Sequence, residues 1–230
     1  VLTLEQAASQ VDPAKNAAIT FTLSANETID ATTVAAGDFT ATNGTVASVS
    51  GSGTSFTVTV TASGQGNVVI APSGTFSVSD VAGNATTTAG GTDRTVTFDS
   101  VAPTLTLAQA AGQADPTNGS SIQFTLSANE AIDATTIATS DFTATNGTVS
   151  SVSGSGASFT VTVTATGQGA VSVSPSGTFS VNDVAGNAAT TAGGTDRTVT
   201  FDSVAPTLTL AQAAGQADPT NGSTIQFTLT

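Results

Sequence analysis

Apolar residues along this chain alternate with threonine and serine in short runs. Examples are Leu2-Thr-Leu4, Ile19-Thr-Phe21-Thr-Leu23, Phe56-Thr-Val58-Thr-Val60 and Val96-Thr-Phe98. A period of two puts every second side chain on one face of a β-strand, and β-branched residues suit such a half-buried pleated surface. The pattern predicts strands over 2–7, 18–24, 39–42, 46–50, 56–62, 68–78 (broken at 71–74) and 94–99. Glycine and asparagine punctuate them at Asn43-Gly44, at 51–55 and at 63–66, where turns are expected. The stretch Asp30 to Asp38 predicts a single helical turn at most, capped by Asp30. The expected core is Leu4, Ile19, Phe21, Leu23, Ile29, Phe39, Val46, Phe56, Val58, Val60, Val68, Ile70, Phe76, Val78, Val96 and Phe98. About seven short strands in a hundred residues predict an all-β fold, an antiparallel β-sandwich.

The pattern then starts again. The ten residues Phe98 to Leu107 return at Phe201 to Leu210, and residues 104–203 match residues 1–100 at 77 of 100 positions. A period of this length is a whole domain rather than a solenoid repeat. The chain is therefore expected to hold one repeat over 1–100, which lacks its N-terminal linker, and a second over 101–203. Residues 204–230 are expected to be the truncated start of a third, with its first two strands only. The recurring stretch ends one strand (RTVTFD), passes a proline-stiffened connector (SVAP) and starts the next strand (TLTL). Such a joint is short and stiff compared with a Gly/Ser linker.

Composition narrows the chemistry. The 230 residues include no Cys, Met, Trp, Tyr or His, and sixteen acids stand against three bases, Lys15, Arg94 and Arg197, for a net charge of −13. Disulfides, thiolate metal sites and imidazole catalysis are excluded, and a surface of this sign repels nucleic acid and anionic lipid while attracting cations. No apolar run is long enough to span a membrane. Paired carboxylates can hydrolyse glycosides, but that chemistry needs a cleft with aromatic platforms, and the only aromatics are Phe at core spacing. The glycine-rich pieces do not sit between a strand and a helix and no Lys follows them, so they read as turns rather than phosphate cradles. No enzyme and no small-molecule substrate are expected.

Every acid but Glu5 belongs to a recurring set. In a sandwich of seven antiparallel strands, successive connections alternate between the two ends. That parity puts Glu27, Asp30, Asp38, Asp80 and Asp93 at one end of the first repeat, and Asp12 and Asp99 at the other. Stacking the repeats through the connector brings Asp12 and Asp99 towards Glu130, Asp133 and Asp183, with Asp196 as a further neighbour. Bare carboxylates so gathered repel, and a hard divalent cation with an all-oxygen shell, Ca²⁺ above all, relieves the repulsion. The expected metal ligands are thus Asp12, Asp99, Glu130, Asp133 and Asp183 at the first joint. Glu27, Asp30 and Asp80 form an N-terminal half-site, and Asp115 and Asp202 an incomplete site at the second joint. Asp38 and Asp141 read as turn or cap residues, and Asp93–Arg94 and Asp196–Arg197 as either local ion pairs or ligands.

The motifs VAPTLTL, DPTNGSSIQFTLSANEAID, DFTATNGTV and FTVTVTATGQGAVSVSPSGTFSVNDVAGNA resemble the bacterial Ig-like repeats in the extended shafts of giant surface adhesins. The likeness covers both full repeats and the start of the third. Its most specific parts are Asn182 to Asn187 (NDVAGN; SDVAGN at 79–84) and the acid closing the second strand, Glu27 or Glu130. It implies tandem Ig-like sandwiches that act as extenders, stiffened by Ca²⁺ at the joints, in a secreted protein of the bacterial cell surface that serves adhesion and biofilm formation. The partners it implies are neighbouring repeats of the same chain. Two other readings stand beside it: an Ig-like module binding a glycan or receptor through its loops, and a filament subunit whose 204–230 hairpin adds a strand to another chain.

Overall fold

The computed structural model describes all 230 residues and is built from strands and four single-turn 3-10 helices. The first repeat contains β1 (Leu2–Gln6), β2 (Ala18–Ile29), β3 (Phe39–Thr42), β4 (Gly44–Ala62), β5 (Gly66–Pro72), β6 (Val78–Ser79), β7 (Ala85–Thr86) and β8 (Thr95–Phe98). The second contains β9 (Leu105–Gln109), β10 (Ser121–Ala128), β11 (Phe142–Thr145), β12 (Gly147–Ser155), β13 (Ser158–Ala165), β14 (Gly169–Pro175), β15 (Val181–Asn182), β16 (Ala188–Ala189) and β17 (Thr198–Phe201). A last hairpin pairs β18 (Leu210–Gln212) with β19 (Phe227–Leu229).

Each repeat is an Ig-like sandwich. One sheet runs β1-β2-β4 in the first repeat and β12-β13-β10-β9 in the second; the other runs β3-β5-β8 and β11-β14-β17. The ladders place apolar residues opposite one another, as in Leu4↔Leu23 and Phe21↔Val58, and hydroxyl residues opposite one another, as in Thr22↔Thr57. The apolar faces of the two sheets meet in a core of 18 buried residues in each sandwich, one drawn from residues 2–98 and the other from 105–201. Phe39 meets Phe76 edge to face at 5.7 Å, and Phe142 meets Phe179 in the same way. Such pairs add directional attraction to the area they bury.

Several elements depart from the period-two reading. The fourth and fifth predicted strands form one continuous β4, with Gly53 at their turn paired to Ile29 of β2; the second repeat, which has Gly154 and Gly156 at positive φ in the places of Gly51 and Gly53, separates them as β12 and β13. β2 runs on to Ile29, which bridges Asp80. Two residues on each side of the loop at 80–84 add a small ribbon, β6 with β7. Val46, expected in the core, is half-buried at its margin. The segment 90–93 runs alongside β1, with Leu4 donating to Gly90 O and Gln6 to Asp93 O, so Asp93 is carried away from the end where parity had put it.

The sandwiches join through Ser100 to Pro103, and both ends of that connector are held. Gln65 donates to Ser100 Oγ at 2.8 Å and accepts from Ser100 N at 3.1 Å, while Val101 N donates to Asp99 Oδ1 at 3.1 Å. On the far side Thr104 N donates to Asn129 Oδ1 at 2.7 Å. Pro103 between them is buried. In the 204–230 hairpin, by contrast, Leu208, Leu210, Ile225, Phe227 and Leu229 are all exposed.

Candidate metal centre

The loop between β15 and β16 is shaped by one side chain. Asp183 accepts from Asn187 N at 2.8 Å and from Asn187 Nδ2 at 2.9 Å, closing the Asp-Val-Ala-Gly-Asn turn onto itself. Asp80 and Asn84 repeat this in the first sandwich at 2.8 Å for both bonds. The two copies differ in their cover. Asp80 is partly exposed, whereas Asp183, against the end of the first sandwich, is 2% exposed and is the one charged residue buried in the chain.

Asp99, at the end of β8, and Glu130, just past β10, complete the cluster. Carboxylate oxygens of Asp99, Glu130 and Asp183 all lie within 4.8 Å of one another, so the first sandwich contributes one acid and the second contributes two. Burial, and after it the negative charges of Asp99 and Asp183, raises the Glu130 carboxyl above its ordinary 4.5, against a smaller opposing effect of Asn129. No basic side chain forms an ion pair with the three: Arg94 donates to Ala89 O and Arg197 to Gly194 O within their own sandwiches.

The other expected ligands lie elsewhere. Asp12 accepts from Thr97 N at 2.9 Å and fastens the loop after β1 to β8. Asp133 caps the 3-10 turn Ala134–Thr136, accepting from Thr135 N and Oγ1, and these bonds hold its carboxyl below its ordinary value. Asp30 does the same for Ala31–Thr33, with the same effect. Glu27 and Asp80 line one shallow depression at the free end of the first sandwich, where hydrogen bonds from Asn84 lower the Asp80 carboxyl. Asp115 accepts from Thr200 N and Asp202 from Val204 N, and both are exposed. Asp38 and Asp141 accept from Ala35 N and Ala138 N at the second 3-10 turn of each repeat. Neither Asp93 nor Asp196 joins the cluster or pairs with its neighbouring arginine.

Two functional side chains were not among the expected ligands. Asn187 Nδ2 also donates to Asp99 O at 2.8 Å, reaching from one sandwich to the other. Lys15 Nζ donates to Gly186 O at 3.2 Å in the opposite direction, from the first sandwich to the second. The Asn was visible as the last letter of NDVAGN, four residues after Asp183; the Lys carried no motif at all.

The donor set fits a hard divalent cation. Ligand oxygens on opposite sides of a Ca²⁺ ion stand about 4.6–5.2 Å apart, twice the usual Ca–O distance, so three oxygens within 4.8 Å of one another are close enough to share one ion. All three side chains offer oxygen only, which suits Ca²⁺ or Mg²⁺ better than the softer transition metals.

No family model and no curated protein matches the sequence. Among solved structures, the adhesin InvE of Yersinia pseudotuberculosis is similar to this chain, with 19% identity and a TM-score of 0.28 over 87% of this chain and 58% of that one. This chain thus aligns with little more than half of the length of that adhesin.

Proposed function

We propose that this chain is a spacer segment of a long bacterial cell-surface adhesin, whose tandem sandwiches are stiffened by Ca²⁺ at their joints so that a distant adhesive domain is held away from the cell. The observation that carries this reading is the meeting of Asp99 from one sandwich with Glu130 and the buried Asp183 of the next, with no basic partner. Asp99, Glu130 and Asp183 would hold the ion, and waters or backbone carbonyls would fill the rest of its shell. The bound ion supplies positive charge that offsets the repulsion among them. Asn187 keeps Asp183 turned towards the joint, and the clamped connector limits the positions Asp99 can take.

Near-identity between repeats supports a length-setting role, since each unit has only to join its neighbours. The absence of Cys and Met leaves little to oxidise outside the cell. A glycan-binding role finds no support in the aromatics, because ten of the eleven Phe are core residues and the other, Phe227, lies in the terminal hairpin.

Chelation is the direct test. On this reading EDTA lowers the melting temperature by several degrees, and added Ca²⁺ restores it. Asp183→Ala reproduces the EDTA state and no longer responds to calcium. A melt that ignores chelation would overturn the metal joint.

A further inference from the structure

The polar contacts that cross the joint include two that need no carboxylate and no ion. Lys15, on the loop after β1, donates to Gly186 O, and Asn187 Nδ2 donates to Asp99 O. Both land on the β15–β16 turn or start from it, and together they tie that turn to the loop after β1 and to the end of β8. Lys15 is also the one positive side chain not already held by a carbonyl of its own sandwich.

The two donors differ in how they recur. Asn187 has its counterpart in Asn84, so both full repeats carry it, but Lys15 corresponds to Asn118 in the second repeat. The nitrogen of an asparagine side chain is two bonds closer to the backbone than that of lysine and carries no charge. We infer that Lys15 and Asn187 form a metal-independent latch, and that the residue at the Lys15 position sets how strongly a joint depends on its cation. A joint led by lysine stays docked when the cation is withdrawn. A joint led by asparagine loosens. An array with both kinds bends at chosen points when calcium falls and is straight throughout when it is plentiful. The graded part of this inference rests on the calcium reading above; the latch does not.

The absence of native Cys makes the test clean. Ser48→Cys and Ser153→Cys, both at exposed strand positions, place one spin label on each sandwich of the full chain, and the width of the distance distribution reports docking. In EDTA the parent is expected to give a narrow distribution, and Lys15→Asn a broad one corresponding to a docking equilibrium weaker by on the order of ten-fold, the worth of one charge-assisted hydrogen bond. Lys15→Arg restores the narrow one. With Ca²⁺ all three are narrow. Because Lys15 is exposed, the melting temperature of the first sandwich is unchanged in both variants and a folding defect cannot imitate the result. A Lys15→Asn distribution in EDTA as narrow as that of the parent overturns the latch, as does a parent already as broad as the variant. A Lys15→Asn distribution that is broad in EDTA and stays broad with Ca²⁺ overturns the metal reading instead, so the two failures are told apart.

Discussion

At the scale of single residues, four acids of this chain fall into two electrostatic classes. Asp30, Asp80 and Asp133 accept hydrogen bonds from nearby donors that favour their charged form, and their pKa values lie below the ordinary 3.8. Their contribution to stability is therefore present above that ordinary value and is lost as pH falls through the lowered one. Glu130 is the reverse case, raised above 4.5 by burial and by Asp99 and Asp183. Its charged form opposes docking, so the metal-free protein gains stability as pH falls from the raised value towards 4.5. Calorimetry in EDTA should accordingly show the second sandwich melting higher on mild acidification, then lower in stronger acid as Asp133 protonates, while the first sandwich only loses stability in acid as Asp30 and Asp80 protonate. Glu130→Gln should remove the rise and keep the fall. Saturating calcium should also abolish the rise, because the ion already offsets the charge.

At the scale of elements, the sandwich is closed on one side by the segment before its last strand, which pairs in parallel with β1 or β9. The approach is close enough to exclude a side chain. A Cβ on Gly194, whose φ is +112°, would lie 2.0 Å from the carbonyl oxygen of Leu107 in β9. Gly194→Ala should therefore cost about 2 kcal/mol or more of second-sandwich stability in a urea titration, combining a strained φ with a backbone clash. Gly156→Ala provides the contrast, because its φ is +63° but open space surrounds it, and about 1 kcal/mol is expected from the left-handed conformation alone. Equal losses at the two sites would mean that contact with β9 contributes nothing. Since β9 begins two residues after Pro103, the Gly194 change should also widen the interdomain distribution.

At the scale of the molecule, two cores of 18 residues each stand beside a hairpin that has none. Leu210, Phe227 and Leu229 are exposed, while their counterparts Leu107, Phe124 and Leu126 are buried beneath strands that the hairpin does not reach. Exposed apolar side chains in a β-hairpin favour association with other chains. Removing residues 204–230 should leave the melting of both sandwiches within about 0.5 kcal/mol of the parent, because little native packing is lost. It should also reduce concentration-dependent self-association in sedimentation velocity. A drop in stability on removal would show that the hairpin supports the second sandwich after all.

The strands were legible in the sequence because their cause is local. Alternating Thr/Val and Thr/Phe runs determine which face of each strand is apolar, and the 103-residue recurrence shows that the same arrangement is made twice. The Asp30 cap was equally readable, since its donors lie two residues away. The cluster was legible only as a pool of acids. Asp12, Asp99, Asp133 and Asp183 look alike as letters and all four accept from backbone amides, yet only Asp99 and Asp183 come together, with Glu130, across the joint. That sorting depends on the path of a four-residue connector and on how one sandwich packs against the next. Neither is a local property of the chain. Lys15 marks the limit most plainly: in the sequence it is one base among sixteen acids, and only the packing of one sandwich on the next brings it to Gly186.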